Sequence, residues 1–298
     1  MALTKWGLAL GGGGILGFAH IGVLMAMELY GLRPQILAGT SAGALVAGLY
    51  AAGVNLTGIQ EGVEALAGSD EYHEAETALI LAGGQVSATG IKGVVRGGFI
   101  EKYIDKLTGS KRVSDIKTPL AIVSVDVETG EEVVFTNRPP VVTTIPAHGD
   151  LVPRAGLGRK AYITEVRLAE AIRASISLPG VFVPRRLYGR SLVDGGILNM
   201  VPVDELKRME AEEIVAVDLG LHAERPQKAE DFATILSRCF ALASRREVER
   251  SLHQYATVIL QPEVWDVGIP TPSKIRALIE SGKICAEKNM GRLRPLLA

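Results

Sequence analysis

Ser41 lies between two glycines in the stretch Gly39-Thr40-Ser41-Ala42-Gly43. The spacing is G-x-S-x-G. An apolar run, Ile36-Leu37-Ala38, precedes it, and a small-residue helical stretch over residues 44–52 follows. Strand, tight turn and helix together expose a serine hydroxyl at the top of a sheet, where it can attack a carbonyl carbon. The flanking glycines let the backbone turn sharply without Cβ clashes. An ordinary glycine-rich turn has the same spelling, so the chemistry needs partners. One candidate is upstream, where Gly11-Gly12-Gly13-Gly14-Ile15-Leu16-Gly17 follows the apolar Leu8-Ala9-Leu10 and opens a helical pattern over residues 18–30. Glycines that open a helix leave backbone N–H groups aimed above the strand end, suited to a phosphate or to the oxyanion of an attacked ester. The other is downstream, where Leu192-Val193-Asp194-Gly195-Gly196 ends an apolar run on a carboxylate. Read alone, Asp194-Gly195 is a turn without chemistry.

The elements that must carry these residues follow from periodicity. Strands are predicted at residues 7–10, 35–38, 120–127, 132–135, 192–193, 214–219 and 258–261. Helices are predicted at 18–30, 44–52, 57–66, 99–107, 168–175, 203–209, 231–254 and 272–293. Their alternation, and the near-continuous apolar runs of several strands, predict an α/β fold. Its architecture is a three-layer α/β/α arrangement around a central, mostly parallel sheet. Thr129-Gly130 between two strand segments predicts one antiparallel hairpin. The 298 residues are expected to form one domain, with the motifs in a core over roughly 6–220 and a C-terminal helical part over 221–298. Residues 83–98 and 137–160 lack periodicity. The second is read as a solvated insertion, with a lid as the sharper alternative.

Composition narrows the functional classes. A 47% hydrophobic share provides for a sizeable core, and a net charge of −1 gives no basic excess for nucleic acid or an anionic membrane surface. Cys239 and Cys285 are far apart, which argues against a disulfide framework or a zinc site and fits a reduced compartment. The glycines at 11–14 break the first apolar run, so the N-terminal segment is read as the first βα unit rather than a targeting signal. The weakly polar stretch over 36–53 is too rich in glycine for a membrane span. The arginines and glutamates over 238–250 are read as the solvated face of a helix held by i,i+4 pairs. Ile275, Leu278, Ile279 and Ile284 read as the apolar side of a core-packing helix.

Taken together and in this order, the motifs resemble those of the patatin-like phospholipases. Two further stretches agree: Ala19-His20-Ile21-Gly22-Val23-Leu24 resembles the family's first helix, and residues 171–182 resemble the segment before its aspartate. The resemblance implies a serine–aspartate dyad without histidine. Ser41 would be the nucleophile and Asp194 the base. Gly12, Gly13 and Gly14 would supply oxyanion amides, and Gly17, Gly39, Gly43, Gly195 and Gly196 are the motif glycines. It further implies hydrolysis of carboxylic esters of lipid-like substrates through an acyl-enzyme on Ser41, with no cofactor and no metal. The expected partners are a lipid or acyl-ester substrate and a transient membrane surface, with no nucleic acid, in a cytoplasmic setting; the motifs leave the oligomeric state open. Leu16 departs from the pattern, because the family usually has Arg or Lys there. Losing that cation predicts a preference for neutral or short acyl esters over charged phospholipids.

Three other readings compete. A Ser-His-Asp hydrolase would take its histidine after Asp194, from His222 or His253. A dinucleotide-binding domain would use Gly12-x-Gly14-x-x-Gly17, but its ribose-binding acid belongs at the end of the second strand, where Gly39-Thr40-Ser41 stands. An inactive lipid-binding scaffold rests on Leu16 alone.

Overall fold

The computed structural model describes residues 5–71, 73–74, 95–140, 159–220, 232–264 and 271–297. The chain opens with strand β1 (Trp6–Leu10), a 3-10 turn (Gly14–Phe18) and helix α1 (Ala19–Leu29). Strand β2 (Ile36–Thr40), α2 (Ala42–Ala51), α3 (Leu56–Ala67) and α4 (Gly98–Thr108) follow. Next come β3 (Leu120–Asp126), β4 (Glu131–Thr136), β5 (Lys160–Ile163) and α5 (Leu168–Ser175). The hairpin β6 (Arg185–Leu187) and β7 (Arg190–Asp194) leads through a 3-10 turn (Gly195–Ile197) into α6 (Val203–Arg208). The chain then runs through β8 (Glu213–Val217), α7 (Phe232–Tyr255), β9 (Val258–Leu260), α8 (Pro272–Lys288) and α9 (Met290–Leu293).

These strands form one sheet in the order β5-β4-β3-β2-β1-β8-β9. The centre is parallel, β4 is antiparallel to β3 across the Thr129-Gly130 turn, and β7 joins β3 antiparallel. Strand alternation divides the side chains between two cores. Leu8, Leu10, Leu37, Ile122, Val215 and Val217 face a large core under α1, α2, α3, α5 and α8. Ala9, Ala38, Ala121 and Ala216 face a smaller one under α6 and α7. Helices therefore cover both faces, as the apolar strand runs predict.

Most predicted elements are present within a residue or two. Two strands were not predicted. β5 is a four-residue strand headed by Lys160, and two of the three residues of β6 are arginines, so neither carries an apolar run. The long predicted C-terminal helix breaks at Asn289 into α8 and α9. Of its apolar positions, Ile275, Leu278 and Ile279 are buried and Ile284 is exposed. Most of the aperiodic stretches at 83–98 and 137–160 lie outside the described residues.

One register places the Ser41 and Asp194 motifs. Along β3, β2 runs parallel until Thr40 stands opposite Val123, while β7 runs the other way until Asp194 stands opposite Ser124. The two strands end head to head on consecutive residues of the same neighbour.

A second close fit joins the two ends of the chain. Helices α1 and α8 cross at glycines: a Cβ on Gly22 would lie 1.7 Å from the Ile279 carbonyl oxygen, and one on Gly282 would lie 1.9 Å from that of Ala19. Gly22→Ala is therefore expected to lower stability by about 1–3 kcal/mol, the usual cost of overpacking. Urea unfolding tests this; an unchanged midpoint would contradict the tight crossing.

Candidate active site

Ser41 caps α2 with φ 55° and ψ −124°, a conformation rare for a residue with a Cβ. Such a residue costs on the order of 1–3 kcal/mol and persists only where its surroundings fix it. The surroundings here are glycines in contact with backbone. A Cβ on Gly43 would fall 2.0 Å from the Leu10 carbonyl oxygen, and one on Gly39 would fall 2.5 Å from that of Gly43. On the other side of the elbow, a Cβ on Gly17 would strike the Ala42 Cβ at 2.2 Å. The motif glycines are thus demanded by close approach.

Where β2 and β7 abut, the sheet ladder is interrupted, and a side chain completes it. The Ser41 N–H donates to Ser175 Oγ at 2.9 Å, and that hydroxyl donates to the Val123 carbonyl at 2.6 Å. The Asp194 N–H donates to the Ser177 carbonyl at 3.0 Å, and Ser124 Oγ donates to the Val193 carbonyl at 2.8 Å. A Cβ on Gly195 would lie 2.4 Å from the Val123 oxygen, so only glycine lets the chain turn away here.

The Asp194 carboxylate is 5% exposed and Ser41 is 9% exposed. Burial pushes the Asp194 carboxyl up to about 6, against the lowering effect of hydrogen bonds from the Ser41 hydroxyl and the Gly196 N–H. The Gly196 bond measures 2.8 Å. Hydroxyl and carboxylate are therefore both buried at the same break in the sheet, and the hydroxyl acts to lower the carboxyl that burial raises.

The glycine turn lies beside them. Gly13 and Gly14 donate their amides to no acceptor among the described residues. Gly12 differs from expectation, because its N–H donates to the Met200 carbonyl at 3.0 Å. What Gly12 contributes is its missing side chain: a Cβ there would lie 3.3 Å from the Ser41 Cβ and 2.6 Å from Met200 Sδ. His20 holds the start of the turn, with its Nε2 2.7 Å from the Gly11 carbonyl oxygen. Burial lowers the imidazole to about 4, so it is neutral at pH 7 and Nε2–H is the donor. Leu16 packs against the larger core.

Four residues join the site that motif reading did not assign to it: Ser175, Ser177, Asn199 and Met200. Thr40 Oγ1 donates to the Asn199 carbonyl at 2.8 Å. The Asn199 side chain in turn meets Glu132 and Asp204, which with Glu205 surround the Lys160 ammonium at 2.5–2.9 Å. Those three carboxylates lie close enough together to hold a metal ion, and Lys160 already supplies the positive charge. His253 is exposed on α7, and His222 lies outside the described residues.

Comparison with known proteins shows the family and the fold. The model of the family described as patatin-like phospholipase matches residues 8–207. An uncharacterized NTE family protein of Mycobacterium bovis is 32% identical over 213 residues, covering 72% of this chain and 48% of that protein. Lysophospholipase NTE1 of Debaryomyces hansenii is 30% identical over 214 residues, covering 72% of this chain and 12% of that protein. The chain thus spans half or less of the length of these relatives. Among solved structures, human GIVD cytosolic phospholipase A2 superposes with a TM-score of 0.52 at 14% identity, over 99% of this chain and 60% of that one, a likeness of fold.

Asp194 also carries a stability signature. Its folded value is raised above the ordinary 3.8, so the native state holds a proton that the unfolded chain has released. Stability then falls as pH rises from about 4 to about 6, and the ionised carboxylate costs about 3 kcal/mol above that range. Asp194→Asn removes the charge without changing shape. It is expected to raise stability at pH 8 by up to about 3 kcal/mol, with a smaller gain at pH 5. Urea unfolding at both pH values checks this; equal destabilisation at both would contradict the buried-charge reading.

Proposed function

This chain belongs to the patatin-like phospholipase family, and we propose that it is a serine hydrolase cleaving carboxylic acyl esters of lipid-like substrates. The observation that carries the proposal is the meeting of the strained Ser41 elbow and the buried Asp194 where β2 and β7 end on consecutive residues of β3. In the proposed reaction Asp194 takes the Ser41 proton as Oγ attacks the ester carbonyl. The tetrahedral oxyanion is met by the Gly13 and Gly14 amides; losing one such donor typically costs about 3–4 kcal/mol of barrier. Asp194 returns the proton to the departing alkoxide, leaving an acyl group on Ser41. Asp194 then deprotonates a water molecule, which attacks the acyl carbonyl and restores the hydroxyl.

The apolar side chains beside the turn support a lipid-like acyl group. Met200 lies against Gly12, and Leu219 against Gly13. Leu16 puts a neutral side chain where the family usually has a cation, which supports neutral over phosphate-bearing esters. A transient membrane contact is supported by α7. Ile235 and Leu242 project from it seven residues apart, 46% and 65% exposed. Residues 232–246 include Arg238, Arg245 and Arg246 and no acid. No helix among the described residues is long and apolar enough to cross a membrane.

A panel of esters graded by acyl length and headgroup, run with wild type and Ser41→Ala, tests the proposal. Ser41→Ala is expected to lose about 10⁴-fold or more in kcat, and wild type to favour neutral esters over phospholipids. Retained activity in the mutant would overturn the nucleophile, and a phospholipid preference would overturn the role given to Leu16. Because the base works only when ionised, kcat/KM is expected to fall about tenfold per pH unit below about pH 6. A profile flat down to pH 4.5 would contradict Asp194 as base.

A further inference from the structure

Asn199 and Met200 hold parts of the site that the chain brings from far apart. The Asn199 carbonyl accepts the Thr40 hydroxyl at 2.8 Å, one residue before the nucleophile. The Met200 carbonyl accepts the Gly12 amide at 3.0 Å, one residue before the amides that meet no acceptor among the described residues. The same short loop begins at Asp194, and the Asn199 N–H closes back onto the Gly195 carbonyl at 2.9 Å. Two adjacent carbonyls thus reach the end of β2 and the glycine turn, while the loop's own start carries the carboxylate.

Backbone carbonyls on a loop position nothing unless the loop itself is anchored. The anchor is the Asn199 side-chain amide. Its Nδ2 donates to Glu132 Oε1 at 3.0 Å and to Asp204 Oδ1 at 2.9 Å. Glu132 belongs to β4, deep in the sheet, and Asp204 to the first turn of α6. Lys160 on β5 bonds both carboxylates and Glu205, so the acids that receive the amide are fixed and their charge is partly offset. A neutral donor with two N–H groups fits between two such oxygens; an aspartate at 199 would add a further negative charge.

We propose that Asn199 is the positioning residue that sets the glycine turn, the Ser41 elbow and Asp194 in register, with the Lys160 cluster as its support. The proposal rests on reading Ser41 and Asp194 as the reacting pair. Without the side-chain anchor, both carbonyls move together, and the hydroxyl, the carboxylate and the amides lose their common geometry. A displacement of about 1 Å between reacting groups costs about 10²-fold in rate.

The test compares Asn199→Ala, Thr40→Val and Thr40→Ser in the full chain. The readouts are steady-state hydrolysis of a soluble neutral ester, thermal unfolding, and covalent labelling by a fluorophosphonate. Asn199→Ala and Thr40→Val are each expected to lower kcat about 10²-fold while KM stays within about threefold. Thr40→Ser keeps the hydroxyl that donates to Asn199 and is expected to retain most of the rate. Folded Asn199→Ala and Thr40→Val proteins that keep wild-type kcat would overturn the proposal, as would a loss seen in stability alone. If Asn199→Ala does not fold, the Thr40 pair decides, and equal rates for its Val and Ser forms would overturn the proposal. A wild type that takes no label at Ser41 would overturn the nucleophile reading and this inference with it. A labelled wild type whose variants label at an unchanged rate would overturn this inference alone.

Discussion

The site depends on two strands stopping head to head along a third. β2 reaches Thr40 opposite Val123, and β7, travelling the other way, reaches Asp194 opposite Ser124. The cost is a broken ladder, since neither strand can satisfy the Val123 carbonyl once both turn away. A buried carbonyl left without a donor costs about 1–3 kcal/mol. Ser175 removes that cost by placing its hydroxyl between Val123 and the Ser41 amide. The strained Ser41 backbone is held from the other side by glycines at 17, 39 and 43, where any larger residue would collide.

Electrostatics follow the same logic of buried groups held by neighbours. Asp194 lies where its ionised form is disfavoured, which makes it a stronger base than an exposed carboxylate and a burden on stability. Its backbone hangs from the Ser177 carbonyl, and Ser177 is in turn fixed by Arg173. The buried Arg173 guanidinium donates to Ser177 Oγ at 2.6 Å and to the Arg96 and Val183 carbonyls, and it stacks 4.7 Å from the centre of the Phe182 ring. Burial brings that arginine down to about 10, still charged at neutral pH. His20 is held neutral beneath the glycine turn, where its Nε2–H donates to the Gly11 carbonyl and fixes the turn's first residue.

Local sequence carries the parts of this design that are themselves local. The elbow around Ser41, the Asp194-Gly195 turn, the helices and the Thr129-Gly130 hairpin each announce themselves through glycine placement or apolar spacing. What stays hidden depends on residues far apart in the chain. Nothing near Gly12 indicates that Met200 takes its amide, and nothing near Asn199 indicates that Glu132 lies 67 positions back and within reach. β5 and β6 escape notice because Lys160, Arg185 and Arg186 belong to sheet positions that pair through backbone and ion pairs, not through apolar burial. The arginines of 238–250 do form helical pairs, Arg245 with Glu249 and Arg250 with Glu247. Yet Arg245 also reaches the buried Asp218 at the end of β8, a contact no helical spacing encodes.

The most direct measurement is a crystal structure of the protein after reaction with a fluorophosphonate that mimics the tetrahedral intermediate. The expected result is a phosphorus bonded to Ser41 Oγ, with its oxygen about 3 Å from the Gly13 and Gly14 amides and Asp194 within hydrogen-bonding reach of the adduct. An adduct on another residue, or one whose oxygen faces away from the glycine turn with Asp194 out of reach, would contradict the convergence of the three segments.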